Sequence, residues 1–250
     1  MKRRCGTRVA IPDRRMPRRW RDHTAGLIFH VVNRGAKRLP LFECDDDYEA
    51  FLRLLPHAAE RENVAVFAYC LMPNHWHLVM SPIVDGALSR AMHWLTTTHA
   101  RRWQVHRGTE GQGAVYQGRF KAIPVKDDSH FLWVCRYVER NALRASLVAR
   151  AEDWRWSSLW QRRAGRTTVP LAKWPLDEPP DWVTQVNSPQ TVAELEQFRT
   201  AMTAGVPFGD PEWQKLLRPT LGLTPSRQRG RPRRVPLSSK NDSRPPYKFA

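Results

Sequence analysis

The run "NVAVFAYCLMPNHWHLVMSP", residues 63–82, is the tightest constraint on how this chain can fold. Two apolar, β-branched and aromatic segments flank a Pro-Asn turn, and such segments bury their apolar sides by pairing as a hairpin. Strand alternation then puts His75 and His77 on one face of the second segment and Trp76 on the other. Two imidazoles at that spacing suit shared ligation of one ion, although an isolated His-x-His equally fits packing in a half-buried sheet. Trp76, on the opposite face, is expected to pack beneath the histidines.

The flanking patterns extend the hairpin to a β-α-β-β-α-β order. "GLIFHVVNRG" alternates as a strand that closes at Gly35, and "CDDDYEAFLRLLPHAAERE" carries Phe51, Leu54 and Leu55 at helical spacing with a disturbance expected at Pro56. "ALSRAMHWLTTTHARRWQVHR" places Leu88, Met92, Leu95 and His99 on one side of a long helix. "AVYQGRFKAIPV" reads as a fourth strand, and Asp127, Asp128 or Ser129 can cap a helix through "HFLWVCRYVERNALRA". The order predicts an α+β, ferredoxin-like antiparallel sheet with helices on one face, the other face free for a partner, an extra C-terminal helix, and a small helical and irregular extension. The expected boundaries are a basic arm over 1–24, the folded domain over 25–163, a loosely packed Pro-rich and short-helix extension over 164–223, and a disordered basic tail over 224–250.

Charge narrows the partner. Lys and Arg number 41 against 24 Asp and Glu, and the resulting +17 favours a polyanion, with nucleic acid ahead of an anionic membrane. The four cysteines, Cys5, Cys44, Cys70 and Cys135, form no Cys-x-x-Cys pair, which fits a reducing cytoplasm. The basic N-terminus has no long apolar core, so neither a secretory signal nor a membrane anchor is expected.

One helix carries the second chemical clue. Phe131, Val134, Cys135 and Val138 form a core-facing stripe, and His130, Trp133, Tyr137, Asn141 and Arg144 run beside it. Tyr137 and Asn141 are thus one turn apart. An amide oxygen can join two imidazoles around a divalent ion, and a phenol can attack phosphorus. An interface tyrosine and a helix-end asparagine account for the same pair.

Taken together, "FHVVNRG", "DDDYEAFL", "YCLMPNHWHLVM", "VYQGRFKAIPV", "DDSHFLWVCRYVERNALRASLVARAEDWRWSSL" and the late "GRPRR" resemble the REP-associated tyrosine transposases, relatives of the single-tyrosine insertion-sequence transposases of the HUH superfamily. The similarity spans about residues 27–160 in consistent order. It implies a single-tyrosine transposase domain over 25–163, with His75 and His77 as metal ligands, Tyr137 on the last helix as nucleophile, and Asn141 as the third ligand. It also implies cleavage and rejoining of single-stranded hairpin DNA through a 5′-phosphotyrosine. The expected location is cytoplasmic and nucleoid-associated, and the oligomeric state is left open between monomer and homodimer. Mixed nitrogen and oxygen ligation admits Mg²⁺ or Mn²⁺, and two imidazoles also accept zinc.

Arg34, Arg119, Lys121, Arg140 and Arg144 are candidate DNA phosphate contacts, and Trp133 is a candidate base-stacking side chain. Arg34 and Arg119 lie within the family motifs. Arg231, in "GRPRR", resembles the minor-groove arginine of an AT-hook, and a generic basic tail explains it equally well. Ala142 departs from the family's usual Asn-Pro and Ser146 from its common glycine, which puts the geometry of the helix end in question. A non-catalytic DNA- or RNA-binding regulator with the same fold is the alternative. A zinc hydrolase ranks last, because no His-Glu-x-x-His or comparable carboxylate motif accompanies the histidines.

Overall fold

The computed structural model describes residues 24–220. The expected tail, with Arg231 and its GRPRR segment, and all but the last residue of the expected basic arm lie outside the described residues. The order is β1 (Ile28–Arg34), α1 (Asp45–Arg61), β2 (Val64–Met72), β3 (His75–Pro82), α2 (Ala87–Arg107), β4 (Lys121–Val125), α3 (Ser129–Glu139) and α4 (Asn141–Arg144), then α5 (Ser158–Arg163), α6 (Trp182–Asn187), α7 (Val192–Ala204) and α8 (Pro211–Thr220). The strands lie in the order β2-β3-β1-β4 and every pairing is antiparallel, the ferredoxin-like arrangement.

Alternation along the strands divides two cores. Phe29, Val31, Leu71, Trp76, Leu78 and Met80 face α1 and α2, where Phe51, Leu55, Leu88, Met92 and Leu95 complete one apolar cluster. The helix α1 runs unbroken through Pro56. A proline inside a helix costs roughly 3 kcal/mol, and burial of Phe51, Leu52, Leu54, Leu55 and Ala58 around it offsets that loss. The fourth strand is shorter than its pattern predicts, because residues 117–119 leave the ladder after Gln117 N–H bonds Arg34 O at 2.9 Å.

The second face is not free for a partner. Ile28, Ala68, Cys70, Val79, Ile123 and Val125 are covered by Phe131, Val134, Cys135 and Val138 of α3, and further out by Trp174, Trp182, Phe198 and Phe208. The extension is therefore firmly packed, with Trp182 and Phe198 both 0% exposed. Its large aromatic side chains supply the apolar area that the short helices lack individually.

Polar contacts tie the extension down. Glu139, at the end of α3, is fully buried and accepts from Arg162 at 2.8 and 2.9 Å, from Trp182 Nε1 at 2.8 Å, and from Ser158 Oγ. This holds α3 against α5 and α6. Both sheet edges are also engaged. Ala172 N–H bonds Val66 O at 2.8 Å and Leu71 N–H bonds Trp156 O at 2.9 Å along β2, while Phe208 N–H bonds Pro124 O at 2.8 Å on β4.

Ser146 ends α4 with φ +56°, a left-handed conformation that favours glycine. Its N–H bonds Leu143 O and the next N–H, from Leu147, bonds Ala142 O, which is the Schellman pattern of helix termination. The departure from glycine at this position therefore leaves the helix end in its usual form, at some conformational cost. Among the described residues no helix is long and apolar enough to cross a membrane.

Candidate active site

The site starts from two neighbouring strands. In the register of β1 and β3, Val32 faces His77 and Arg34 faces His75. His75 and His77 project to the second face with ring centroids 5.0 Å apart. His75 Nδ1 lies 2.7 Å from Asn74 Oδ1; a carbonyl oxygen only accepts, so Nδ1 carries the proton and Nε2 is left as the lone-pair nitrogen. Burial, then the charges of Arg34 and Arg144, pushes the His75 pKa down to about 4. Burial also drives His77 well below its ordinary value, with His75, His30 and Arg144 adding to the effect. Both are held neutral at pH 7, the form that binds metals.

Alternation along β1 adds a third imidazole. His30 is 1% exposed, its Nε2 lies 2.9 Å from His77 Nδ1, and burial followed by Arg144 lowers its pKa to about 3.

The Asp128 side chain caps α3 by accepting from His130 N–H at 2.9 Å, and the helix delivers Tyr137 to the same place. The Tyr137 ring stands edge-on to His77 at 5.8 Å and to His30 at 6.0 Å. Trp133 stacks on Tyr137 at 5.6 Å and also touches Phe198 and Phe208, so this tryptophan is packed into the site wall. Trp76 lies fully buried on the opposite face, as alternation predicts.

Asn141 is one turn beyond Tyr137 and is buried. Its Nδ2 donates to Tyr137 O at 3.2 Å, and its Oδ1 accepts a hydrogen bond from Arg144. The Arg144 guanidinium in turn lies 4.2 Å from the Tyr137 ring centroid. This arginine is thus a component of the site itself.

A cleft of about 490 Å³ opens from His30, His77 and Tyr137 outward past Arg34, Arg119 and Lys121. Three of the five cations expected at phosphates therefore line one opening with the tyrosine. Arg140 does not, since its guanidinium bonds the carbonyls of Val186 and Asn187 at the C-terminal end of α6. The fourth cation of the cleft, Arg199 on α7, and Met202 beside it were not singled out from sequence. They sit in an amphipathic helix far along the chain whose docking place no local pattern specifies.

The donor chemistry fits a divalent ion at His75 and His77, because both imidazoles are neutral and paired on one face. Among the described residues no group of three or more His, Cys, Asp or Glu is arranged to hold a metal. Asn141 Oδ1, the amide oxygen expected as the third donor, is engaged by Arg144.

The antiparallel βαββαβ sheet thus carries a histidine pair on a central strand with a helix tyrosine against it. Residues 23–141 match the family described as "Transposase IS200 like". Two solved structures are similar at low identity. One is described as the REP associates tyrosine transposase bound to a REP hairpin, with 19% identity, a TM-score of 0.46, and cover of 62% of this chain and 90% of that one. The other is a candidate transposase of Deinococcus radiodurans R1, with 16% identity, a TM-score of 0.32, and cover of 45% and 88%. No curated protein matches the chain.

Proposed function

We propose that this protein is a metal-dependent, single-tyrosine transposase that cuts and rejoins single-stranded, hairpin-containing DNA of the repetitive extragenic palindrome type. The observation that carries the reading is the position of Tyr137, edge-on to His77 at the head of a cleft lined by Arg34, Arg119 and Lys121. The hairpin substrate follows from the motif resemblance.

Tyr137 Oη attacks the scissile phosphorus as its proton passes to solvent in the cleft. The P–O3′ bond breaks, giving a 5′-phosphotyrosine and a free 3′-hydroxyl once the leaving oxygen is protonated. Because the phosphotyrosine conserves the ester, the 3′-hydroxyl of a second strand can attack it, releasing Tyr137 and joining DNA without a nucleotide cofactor. Arg34, Arg119 and Lys121 hold the flanking phosphates, and Trp133 and Phe198 fix the ring of the nucleophile. His75 and His77 would hold Mg²⁺ or Mn²⁺ together with Asn141; when bound, such an ion polarises a non-bridging phosphate oxygen.

The test is a covalent adduct. The full chain incubated with Mn²⁺ and a set of 5′- and 3′-labelled repeat hairpins should give a denaturant-resistant complex carrying the DNA 3′ of the cut, absent in Tyr137→Phe. A second reading, a non-catalytic nucleic-acid-binding regulator, draws on the cover over Tyr137, which is only 8% exposed beneath Arg144 and Phe198. Tight hairpin binding without an adduct across that set would favour it.

A further inference from the structure

Met202 on α7, His30 on β1 and His77 on β3 form one line of contacts through the second face of the sheet. His30 Nε2 is 2.9 Å from His77 Nδ1, and His30 Nδ1 is 3.1 Å from Met202 Sδ. The two imidazoles stack with centroids 5.1 Å apart and planes 21° from parallel. His30 is 1% exposed and His77 is 6% exposed, and the nearby Arg144 guanidinium lies over the Tyr137 ring that stands edge-on to both. An imidazolium there would be buried beside like charge, so each ring is neutral and carries one proton.

That restriction settles the direction of the whole line. A thioether sulfur has no proton to give, so His30 Nδ1 is the donor at Met202. His30 Nε2 is then an acceptor, and His77 Nδ1 must be the donor to it. The lone pair of His77 is left on Nε2, on the other side of the ring from His30. The reverse assignment would set the His30 Nδ1 lone pair against sulfur and put a proton on the nitrogen needed for ligation.

We infer that His30 is a positioning residue that sets the tautomer of the metal ligand His77, with Met202 fixing the direction of the relay. The inference rests on the metal-site reading given under Proposed function. Metal-bound histidines commonly owe their basicity and orientation to the partner of their second nitrogen, and loss of such a partner lowers metal affinity about 10- to 100-fold. Here the last partner comes from α7, outside the 23–141 match, so the extension takes part in the ligand chemistry as well as covering it.

Long-range ¹H–¹⁵N correlation spectra of the metal-free full chain at pH 7 should find the proton on Nδ1 in both His30 and His77; an Nε2–H tautomer at His77 overturns the relay. Mn²⁺ binding followed by electron paramagnetic resonance adds a second reading. His30→Phe, which keeps a ring without nitrogens, should weaken Mn²⁺ binding about 10- to 100-fold. His30→Gln, whose amide oxygen can accept from His77 Nδ1, should recover most of that loss. Equal affinity in His30→Phe and the unaltered protein overturns the proposal. Should His30→Phe fail to fold, Met202→Leu keeps volume but removes the acceptor, and an unchanged His30 tautomer there refutes the part given to Met202. An unaltered protein with both Nδ1–H tautomers but no Mn²⁺ binding would uphold the relay and defeat the metal reading, so the two failures are distinct.

Discussion

Trp76 and His77 are neighbours in β3, and each opens onto a tyrosine-and-histidine group on its own face of the sheet. On the first face, Trp76 Nε1–H donates to Tyr116 Oη at 3.2 Å, and Tyr116 Oη lies 2.8 Å from His99 Nδ1. On the second, His77 meets His30 and stands edge-on to Tyr137. Burial lowers His99 to about 4 and His30 to about 3, so a depressed histidine does not tell the two apart. The difference lies in where each line of contacts ends. Tyr116 is enclosed by its partners and by α1 and α2, whereas Tyr137 ends at a cleft lined by cations. A buried polar group points to chemistry when its chain of partners opens toward a place a substrate can reach.

Exchanging the two tyrosines breaks the comparison most sharply. Tyr137→Phe should abolish the covalent DNA adduct while leaving the urea midpoint near that of the unaltered protein. Tyr116→Phe should keep the adduct and lose about 1–3 kcal/mol in urea unfolding, because Trp76 and His99 lose their shared buried partner. If both variants lose the adduct with unchanged stability, the distinction between the faces fails.

Glu139→Ala tests whether the second face depends on its anchor. It leaves Arg162 and Trp182 without their buried acceptor and should cost about 3–5 kcal/mol, measured by urea denaturation. A loss under about 1 kcal/mol would show that α3 is held by apolar packing alone.

The cleft cations give a smaller, electrostatic effect. Replacing Arg119 or Lys121 with Ala should flatten the plot of log affinity for single-stranded DNA against log salt by about 0.7 each. Arg101→Ala or Arg102→Ala, both on the exposed side of α2, should leave that slope unchanged. Equal slopes for all four would mean that charge acts over the whole surface. Smallest of all, Ser146→Gly should relieve the positive φ and raise stability by about 1 kcal/mol, read as an upward shift in melting temperature.

These contrasts also show which parts of the molecule are legible in the sequence. Strand and helix periodicity is local, so the βαββαβ order, the bounds of α2 and the common face of His75 and His77 can all be read from it. Tyr137 and Asn141 are linked by helical spacing, and the resemblance joins them to the histidines across some sixty residues. His30 is hidden by the same alternation that makes β1 recognisable, because a histidine between Ile28 and Val32 reads as one more residue on a half-buried face. Its role depends on the register between β1 and β3, which strand patterns do not state. Arg199, Met202 and Phe198 are further from view still. Their place is set by docking of an extension whose prolines suggest loose structure and whose tryptophans in fact close the second core. Arg140 errs the other way, for a helix-surface arginine near a nucleophile looks like a phosphate ligand, yet it binds carbonyls of α6.

The backbone contacts along β2 and β4 carry a consequence for the chain's life in solution. A four-stranded sheet has two outer strands whose unpaired amides and carbonyls can recruit a strand from another molecule, the first step of ordered aggregation. Here segments around Trp156 and Ala172 occupy one rim, and the Phe208 segment occupies the other, where Pro124 has no amide proton to offer. These segments thereby leave neither rim open along its whole length to a strand from another molecule. A chain shortened ahead of Phe208 would expose the β4 rim, with clumping at high concentration as the expected symptom.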